Sequence, residues 1–243
     1  MKPLESSKFW KVTKEKLREL KELDDLLEKE IIDTRQILAL VKDGIVNPEI
    51  YFSSNKKILW ILKEANDTEI GEDGYIGNWD LRGFLKDDVT KYKFWRRTYL
   101  PIVYSSWSIL NDCCDWSKIA DYEDDPTILE ILQNIAIINI KKLPGRSKSN
   151  ESEISSAYRK HKQLLHKQIE LIDPDIIIFG GTIHHFIDEL KIPRESISRN
   201  SFYDDGRRIY IDNYHPNQRL IKRQDYCEHN IESVKACSKT DFT

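Results

Sequence analysis

Residues 135–181 read IAIINIKKLPGRSKSNESEISSAYRKHKQLLHKQIELIDPDIIIFGG, and this stretch decides the fold. IAIINI (135–140) is a short apolar run of strand length. KKLPGRSKSN (141–150) is a basic loop, and a helical pattern follows over roughly 152–172 until Asp173-Pro174 ends it. DIIIFGG (175–181) is a second apolar strand. Working outward, KKILWIL (56–62) and RIYIDN (208–213) have the same strand-sized apolar character, and the latter is followed by a helix over about 222–238. The segment after the second strand, TIHHFIDEL (182–190), also reads as helix. Strands of five or six residues alternating with helices predict an α/β sandwich with a mainly parallel sheet. Residues 90–114 are aromatic-rich and helical in pattern, with Pro101 kinking that helix or starting a new one. Asp125-Pro126 has the form of an N-cap followed by proline at the first helical position. Leucine, isoleucine and valine spaced near three and four over 13–42 predict a long amphipathic helix stopped by Gly44. That helix would pack on the core, or else dimerise through an irregular seam.

The 243 residues carry 38 Lys+Arg against 41 Asp+Glu, a formal charge of −3. This balance excludes a uniformly basic nucleic-acid coat, so any such binding must come from local patches. No apolar run approaches the roughly 20 residues of a membrane span. The first residues lack the apolar core of a secretion signal, which makes a cytoplasmic protein the expectation. Four cysteines, Cys113, Cys114, Cys227 and Cys237, show no C-x-x-C spacing and are read as reduced thiols. His161 and His166 fall on different faces of their helix, and His184-His185 read as surface and packing residues, so no metal site is expected. No internal repeat or linker interrupts residues 1–243, and a single domain is the expectation, with 1–50 as an N-terminal helical extension.

In open parallel sheets the ligand site lies beyond the carboxyl ends of the strands. Four segments occupy that place: KEAND (63–67), NIKKLPG (139–145), GGTIHH (180–185) and YHPN (214–217). Asn139 sits inside an apolar strand, where a carboxamide needs partners or costs about 1–3 kcal/mol. It is either a structural residue tying down a loop or a reader of a polar edge, since it offers one acceptor and two donors. His215 precedes Pro216 at the same rim and has the same two readings.

In order, these segments resemble the uracil-DNA glycosylase superfamily, closest to its thermophilic-type branch. That branch has a strand followed by G-E-A-P-G and then an aromatic in G-x-P-F-V-G. Here Glu64 and Ala65 of KILWILKEAND match the first motif, and Tyr75, Ile76 and Gly77 match the second. A strand ending in Asn before a basic, proline-containing loop matches INIKKLPGRSKSN; a P-D/E-x-I-I-x-x-G strand matches PDIIIFGG; and a final strand then H-P matches YIDNYHPNQR. The resemblance covers about residues 56–220. It implies a three-layer sandwich around a central, mainly parallel four-stranded sheet, with the N-terminal helical arm added.

The resemblance also implies roles. Such an enzyme flips uracil or a related damaged base out of the DNA stack and hydrolyses its N-glycosidic bond. Tyr75 would stack on the base and Asn139 would bond its edge. Glu64 would stabilise the oxocarbenium-like sugar and position water, and His215 would donate toward a base oxygen. The scheme requires no cofactor. The family's leading Gly, Pro and second Gly are replaced by Lys63, Asn66 and Asp67, and a shifted alignment makes Asn66 or Asp67 the water-positioning group. The cysteines that bind an iron–sulfur cluster in that branch are absent. Asn217, Gln218 and Arg219 stand where a wedge residue would be.

Local charge bears on the partner, expected to be uracil-containing DNA met by a monomer. Lys141, Lys142, Arg146 and Lys148 give residues 139–150 a net charge of +4, and 206–223, with Arg207, Arg208, Arg219, Lys222 and Arg223 against Asp212, another +4. Lys141, Lys142, Arg146 and Arg219 are the candidate phosphate contacts, and Lys91, Lys93, Arg96 and Arg97 add a third cluster. Six acids in residues 63–80 form an opposing lip that suits a smaller ligand or a single strand. The alternative function is a protein that keeps the fold and pocket, binds nucleic acid or nucleotide, and has lost hydrolysis.

Overall fold

The computed structural model describes residues 8–31, 38–67, 69–72, 74–91, 94–146, 148–196 and 201–238. The first half of the chain forms helix α1 (Lys8–Ile31), strands β1 (Val41–Lys42) and β2 (Gly44–Ile45), helix α2 (Pro48–Ser53), β3 (Ile58–Asn66) and β4 (Trp79–Asp80). A single turn α3 (Leu81–Gly83) and helix α4 (Trp95–Leu110) follow. The second half forms β5 (Ile135–Gly145), α5 (Glu151–Ile172), β6 (Ile176–Gly180), β7 (Phe202–Asp204), β8 (Ile209–Asn213) and α6 (Arg223–Ser238). The fold is mixed α/β with a mainly parallel sheet, as the alternation predicts.

Among the described residues the main sheet has six strands in the order β2-β5-β3-β6-β8-β7, not the four expected. The four expected strands are its interior, and the two additions are edges. β2 is two residues long and β7 exposes Phe202 and Asp204, so neither leaves an apolar signature. β3 and β6 run parallel with Ile58 opposite Ile176 and Ile61 opposite Phe179. β6 and β8 run parallel with Ile176 opposite Ile209 and Gly180 opposite Asn213, while β7 closes the edge antiparallel to β8. All five residues of β6 are buried, which explains why Ile176–Gly180 shows no polar alternation.

Two segments expected as loops are strand. β3 continues through Lys63, Glu64 and Ala65 to Asn66, and β5 through Lys141 and Lys142 to Gly145. Backbone pairing does not need apolar side chains, and burial in β3 falls from complete at Ile58 to exposed at Asn66. The expected helix after β6 is only a 3-10 turn, Ile183–His185. Thr182 makes no cap there, because its hydroxyl donates to the Ile61 carbonyl at 2.8 Å instead. The N-terminal helix starts at Lys8, and its expected end is displaced: Val41 and Lys42 pair with Trp79 and Asp80 as strand. Asp125 does cap Pro126–Asn134, accepting from the Thr127 N–H at 3.1 Å, and that segment is a 3-10 helix. Pro101 lies inside α4.

By contacts the chain divides into two compact units. The first comprises Met1–Gly44, Glu64–Leu81 and Asn139–Asp173; the second comprises Ile45–Lys63, Arg82–Ile138 and Pro174–Thr243. In the first unit α1 packs on α5. Leu23, Leu27, Leu40 and Leu171 are buried together, and Leu20, Leu143 and Leu164 pack against them. Each such leucine contributes about 1.5–3 kcal/mol by leaving water. In the second unit α4 packs on α6, with Asn230 Nδ2 donating to Ser105 Oγ at 3.0 Å and Asn213 Nδ2 to Asn230 Oδ1 at 2.8 Å. Trp60 of β3 donates its indole N–H to Ser106 Oγ of α4 at 3.1 Å. The four cysteines are unbridged, and among the described residues no helix is long and apolar enough to cross a membrane.

Candidate functional site

Asn139 is 3 % exposed, and its partner is Asp43, 96 positions earlier. Asp43 Oδ2 accepts from the Asn139 backbone N–H at 2.7 Å and from Nδ2 at 3.4 Å. Its other oxygen accepts from Lys142 Nζ at 2.6 Å and from Gln168 Nε2 at 3.1 Å, and Lys142 also donates to Gln168 Oε1 at 2.9 Å. A carboxylate offers only acceptors, so Nδ2 must face it, and the amide oxygen of Asn139 points away. The structural reading of Asn139 is therefore correct for its N–H groups. Its amide oxygen keeps no protein donor among the described residues.

Lys142 corrects an expectation. Its side chain, like that of Asp43, is 1 % exposed, and its ammonium is consumed inside the unit. It cannot reach a phosphate. A buried charge survives only when paired and hydrogen-bonded, and Asp43 and Gln168 supply both.

Glu64 lies near the carboxyl end of β3 with a side chain 4 % exposed. Lys141 Nζ donates to Glu64 Oε2 at 2.9 Å and to Glu153 Oε2 of α5 at 2.7 Å. Burial alone would lower the Lys141 ammonium, but its hydrogen bonds to Glu153 and Glu64 hold it above the ordinary lysine value. The hydrogen bond from Lys141 keeps Glu153 below the usual carboxylate range. Lys141 is thus a clamp between two acids; it is less buried than Lys142, but its ammonium is taken up by two carboxylates, which speaks against the expected phosphate role. Gly145 completes the clamp: a Cβ there would stand 2.0–2.4 Å from the Glu64 carboxyl atoms. Only glycine lets that carboxylate lie against the β5 backbone.

Asp67 is a loop tie. Its Oδ2 accepts from the Gly77 N–H at 3.0 Å and the Trp79 indole N–H at 2.9 Å, and Oδ1 from the Glu69 N–H at 3.2 Å. Its own N–H donates to the Gly145 carbonyl at 3.1 Å. With both oxygens so engaged, it fits a structural tie better than a water-positioning group. Asn66 is exposed beside it. Tyr75 rides on the loop so closed, 36 % exposed, with its carbonyl accepting from the Gly71 N–H and the next residue, Ile76, bridged to Leu38. The acidic lip is thinner than the sequence suggests, since Glu64 and Asp67 are spent internally while Glu69 and Glu72 stay exposed. Asp73 and Lys93 lie outside the described residues.

His215 belongs to the second unit, two residues beyond β8. It is half-buried; burial and then the charge of Lys63 push its imidazole down to about 4. Nδ1 accepts from the Asn217 N–H at 3.2 Å, so the neutral ring carries its proton on Nε2 and can donate. Gly180 admits the His-Pro turn to the end of β6, because a Cβ would meet Leu62 Cδ2 at 2.6 Å and Pro216 Cδ at 3.2 Å.

The first unit therefore holds Glu64, Asn139 and Tyr75, and the second holds His215. Of the candidate phosphate contacts, Arg146 and Arg219 are exposed. Arg208 is 9 % exposed and donates to the Pro174 carbonyl at 3.0 Å, which makes it structural. His166 bonds the Tyr158 hydroxyl at 2.9 Å within α5, in keeping with a packing role. Asp43, Gln168, Glu153 and Gly145 escaped the sequence reading. The one signal was the buried Asn139 itself, which demands a partner without naming it.

No protein-family model matches the chain, and no curated protein matches it.

Proposed function

We propose that the chain is a uracil-DNA glycosylase-like hydrolase, a three-layer sandwich with an N-terminal helical arm, which removes uracil or a related base from DNA. The observation that carries this reading is the Glu64 carboxylate, held near the end of a parallel strand by Lys141 and by the bare Cα of Gly145. Oε2 is fixed by the ammonium, and Oε1 is the oxygen left to hold the attacking water. Cleavage of the N-glycosidic bond develops positive charge on the sugar, and a carboxylate fixed in advance stabilises it without reorganising. The Asn139 amide oxygen, turned out by Asp43, is an acceptor for the imide N–H of uracil, a donor that cytosine lacks at that ring position. Tyr75 supplies a ring face for the base, and His215 supplies an Nε2–H for an oxygen that becomes anionic.

The test is base release from a uracil-containing single-stranded oligonucleotide, read as alkali-labile strand breaks. The intact protein should produce breaks; Glu64→Gln and Asn139→Ala should each lower the rate by about a hundredfold or more. Rates unchanged in both variants would remove the residue assignments.

One observation favours a second reading, binding without hydrolysis. Lys141 neutralises Glu64, and a neutralised carboxylate is a weaker electrostatic catalyst. Retained binding with no base released over hours at excess protein would establish that reading instead.

A further inference from the structure

A cavity of about 350 Å³ in the second unit adjoins the His-Pro turn, and three arginines line it: Arg97 of α4, Arg219 of the loop after β8, and Arg223 at the start of α6. No acid lines it. None of the three guanidiniums pairs with a carboxylate among the described residues. Neighbouring bases behave differently: Arg96 bonds Glu123 at 2.6 Å, and Lys235 bonds Asp115 at 2.8 Å. Arg97 and Arg223 instead lie over the rings of Phe94 and Tyr104, at 5.6 and 5.9 Å, which supports their planes and leaves their N–H edges to a ligand.

The walls are stiff. Gln218 knits the loop that carries Arg219, with Nε2 donating to the Ile221 carbonyl at 3.0 Å and Oε1 accepting from the Ile221 N–H at 2.9 Å. Tyr226, also in the lining, donates its hydroxyl to the Tyr214 carbonyl at 3.0 Å. Pro101 and Pro216 fix two further positions of the wall. The N-terminus of the 16-residue helix α6 adds its dipole at Arg223; Asp225 in the first turn does not line the cavity.

From this arrangement we infer that the cavity binds the phosphomonoester of a nucleotide, on a strand end or on a free nucleotide. Three guanidiniums match a group carrying about two negative charges and three acceptor oxygens. An internal phosphodiester carries one charge and only two non-bridging oxygens, a poorer match to three guanidiniums. The volume falls within the range of about 300–1,000 Å³ typical of small-ligand pockets, so a sugar can follow the phosphate in. The site does not depend on base release.

The experiment uses the full chain and fluorescence anisotropy with labelled uracil-containing single strands that bear a phosphate or a hydroxyl at the 5′ end, and likewise at the 3′ end. Titrations with inorganic phosphate and with a nucleoside monophosphate accompany them. One phosphorylated end should bind about tenfold or more tightly than its hydroxyl counterpart, with inorganic phosphate competing. Arg219→Gln and Arg223→Gln should erase that increment, beyond a smaller loss that phosphorylated and hydroxyl-ended strands share, whereas Arg96→Gln should leave the increment in place. Tight monophosphate binding without a strand-end preference assigns the free nucleotide. Equal affinity for both ends with no monophosphate binding overturns the inference, as does an Arg96→Gln effect equal to that of Arg219→Gln, which would reduce the pocket to general charge. Base release is scored separately, so failure of hydrolysis and failure of this site are told apart.

Discussion

Replacing Lys142 by methionine puts a neutral side chain of similar length into the core and leaves Asp43 without its cation. Both side chains are 1 % exposed and the ion pair is 2.6 Å long, so water cannot replace the lost partner. Asp43 would keep donors from Asn139 and Gln168 but no positive charge. Breaking one side of such a buried pair costs about 3–5 kcal/mol, against a total stability of about 5–15 kcal/mol. For a chain of this size that is a fall of about 6–20 °C in melting temperature. Asp43→Asn with Lys142→Met removes both charges and should recover part of the loss, because neither partner is stranded. Thermal melts of parent, single and double variants by circular dichroism supply the cycle. A Lys142→Met protein that melts within about 2 °C of the parent would refute the reasoning, since Asp43 would then have found solvent or another cation.

Gly145→Ala tests the other clamp: the new methyl must displace the Glu64 carboxyl group, so base release should fall by about tenfold or more while the melting temperature falls only a few degrees; full activity would show that Glu64 has a different place during turnover. Three buried or half-buried imidazoles set an acid limit. Burial lowers His215 to about 4 and depresses His161 and His229 below the ordinary imidazole value. The unfolded chain takes up these protons near pH 6.5 and the folded chain resists them. Stability should therefore be complete above pH 6.5 and fall as the pH drops toward 4, by up to about 1.4 kcal/mol per pH unit for each imidazole. Urea midpoints that do not change over that interval would contradict it.

The strands and long helices were legible for a definite reason. Ile176–Phe179 is covered on both faces, so its sequence is an unbroken apolar run, and α5 carries its own cap and stop at Asn150 and Asp173. Legibility failed where structure depends on backbone groups or remote partners. The last residues of β3 and β5 are charged and still lie in strand. Thr182 looked free to start a helix but spends its hydroxyl on Ile61. Asp43 fell at the expected stop of the N-terminal helix, between residue 42 and Gly44, and no local pattern tells a helix-end aspartate from one that will be buried against residues 139, 142 and 168. At the site, residue types could be read and their availability could not. Glu64, Asn139 and Lys142 are all held by partners from distant segments.

The same accounting relocates the positive charge that a polyanion would meet. The loop after Asn139 has four cations in sequence, but Lys141 lies between two glutamates and Lys142 is buried on Asp43, which leaves Arg146 and Lys148 exposed. Residues 206–223 lose Arg208, just before β8, to a backbone carbonyl and keep Arg219, Lys222 and Arg223 at the surface. Surface cations attract phosphate in proportion to the charge left unneutralised, so the second segment is the stronger electrostatic anchor despite equal formal charge. The first segment serves instead to orient: its two lysines fix the Glu64 carboxylate and, through Asp43, the Asn139 amide. A charge that orients must be buried and paired, and a charge that attracts must be exposed and unpaired. That division of labour explains why cations of both segments, alike in composition, end in two different environments.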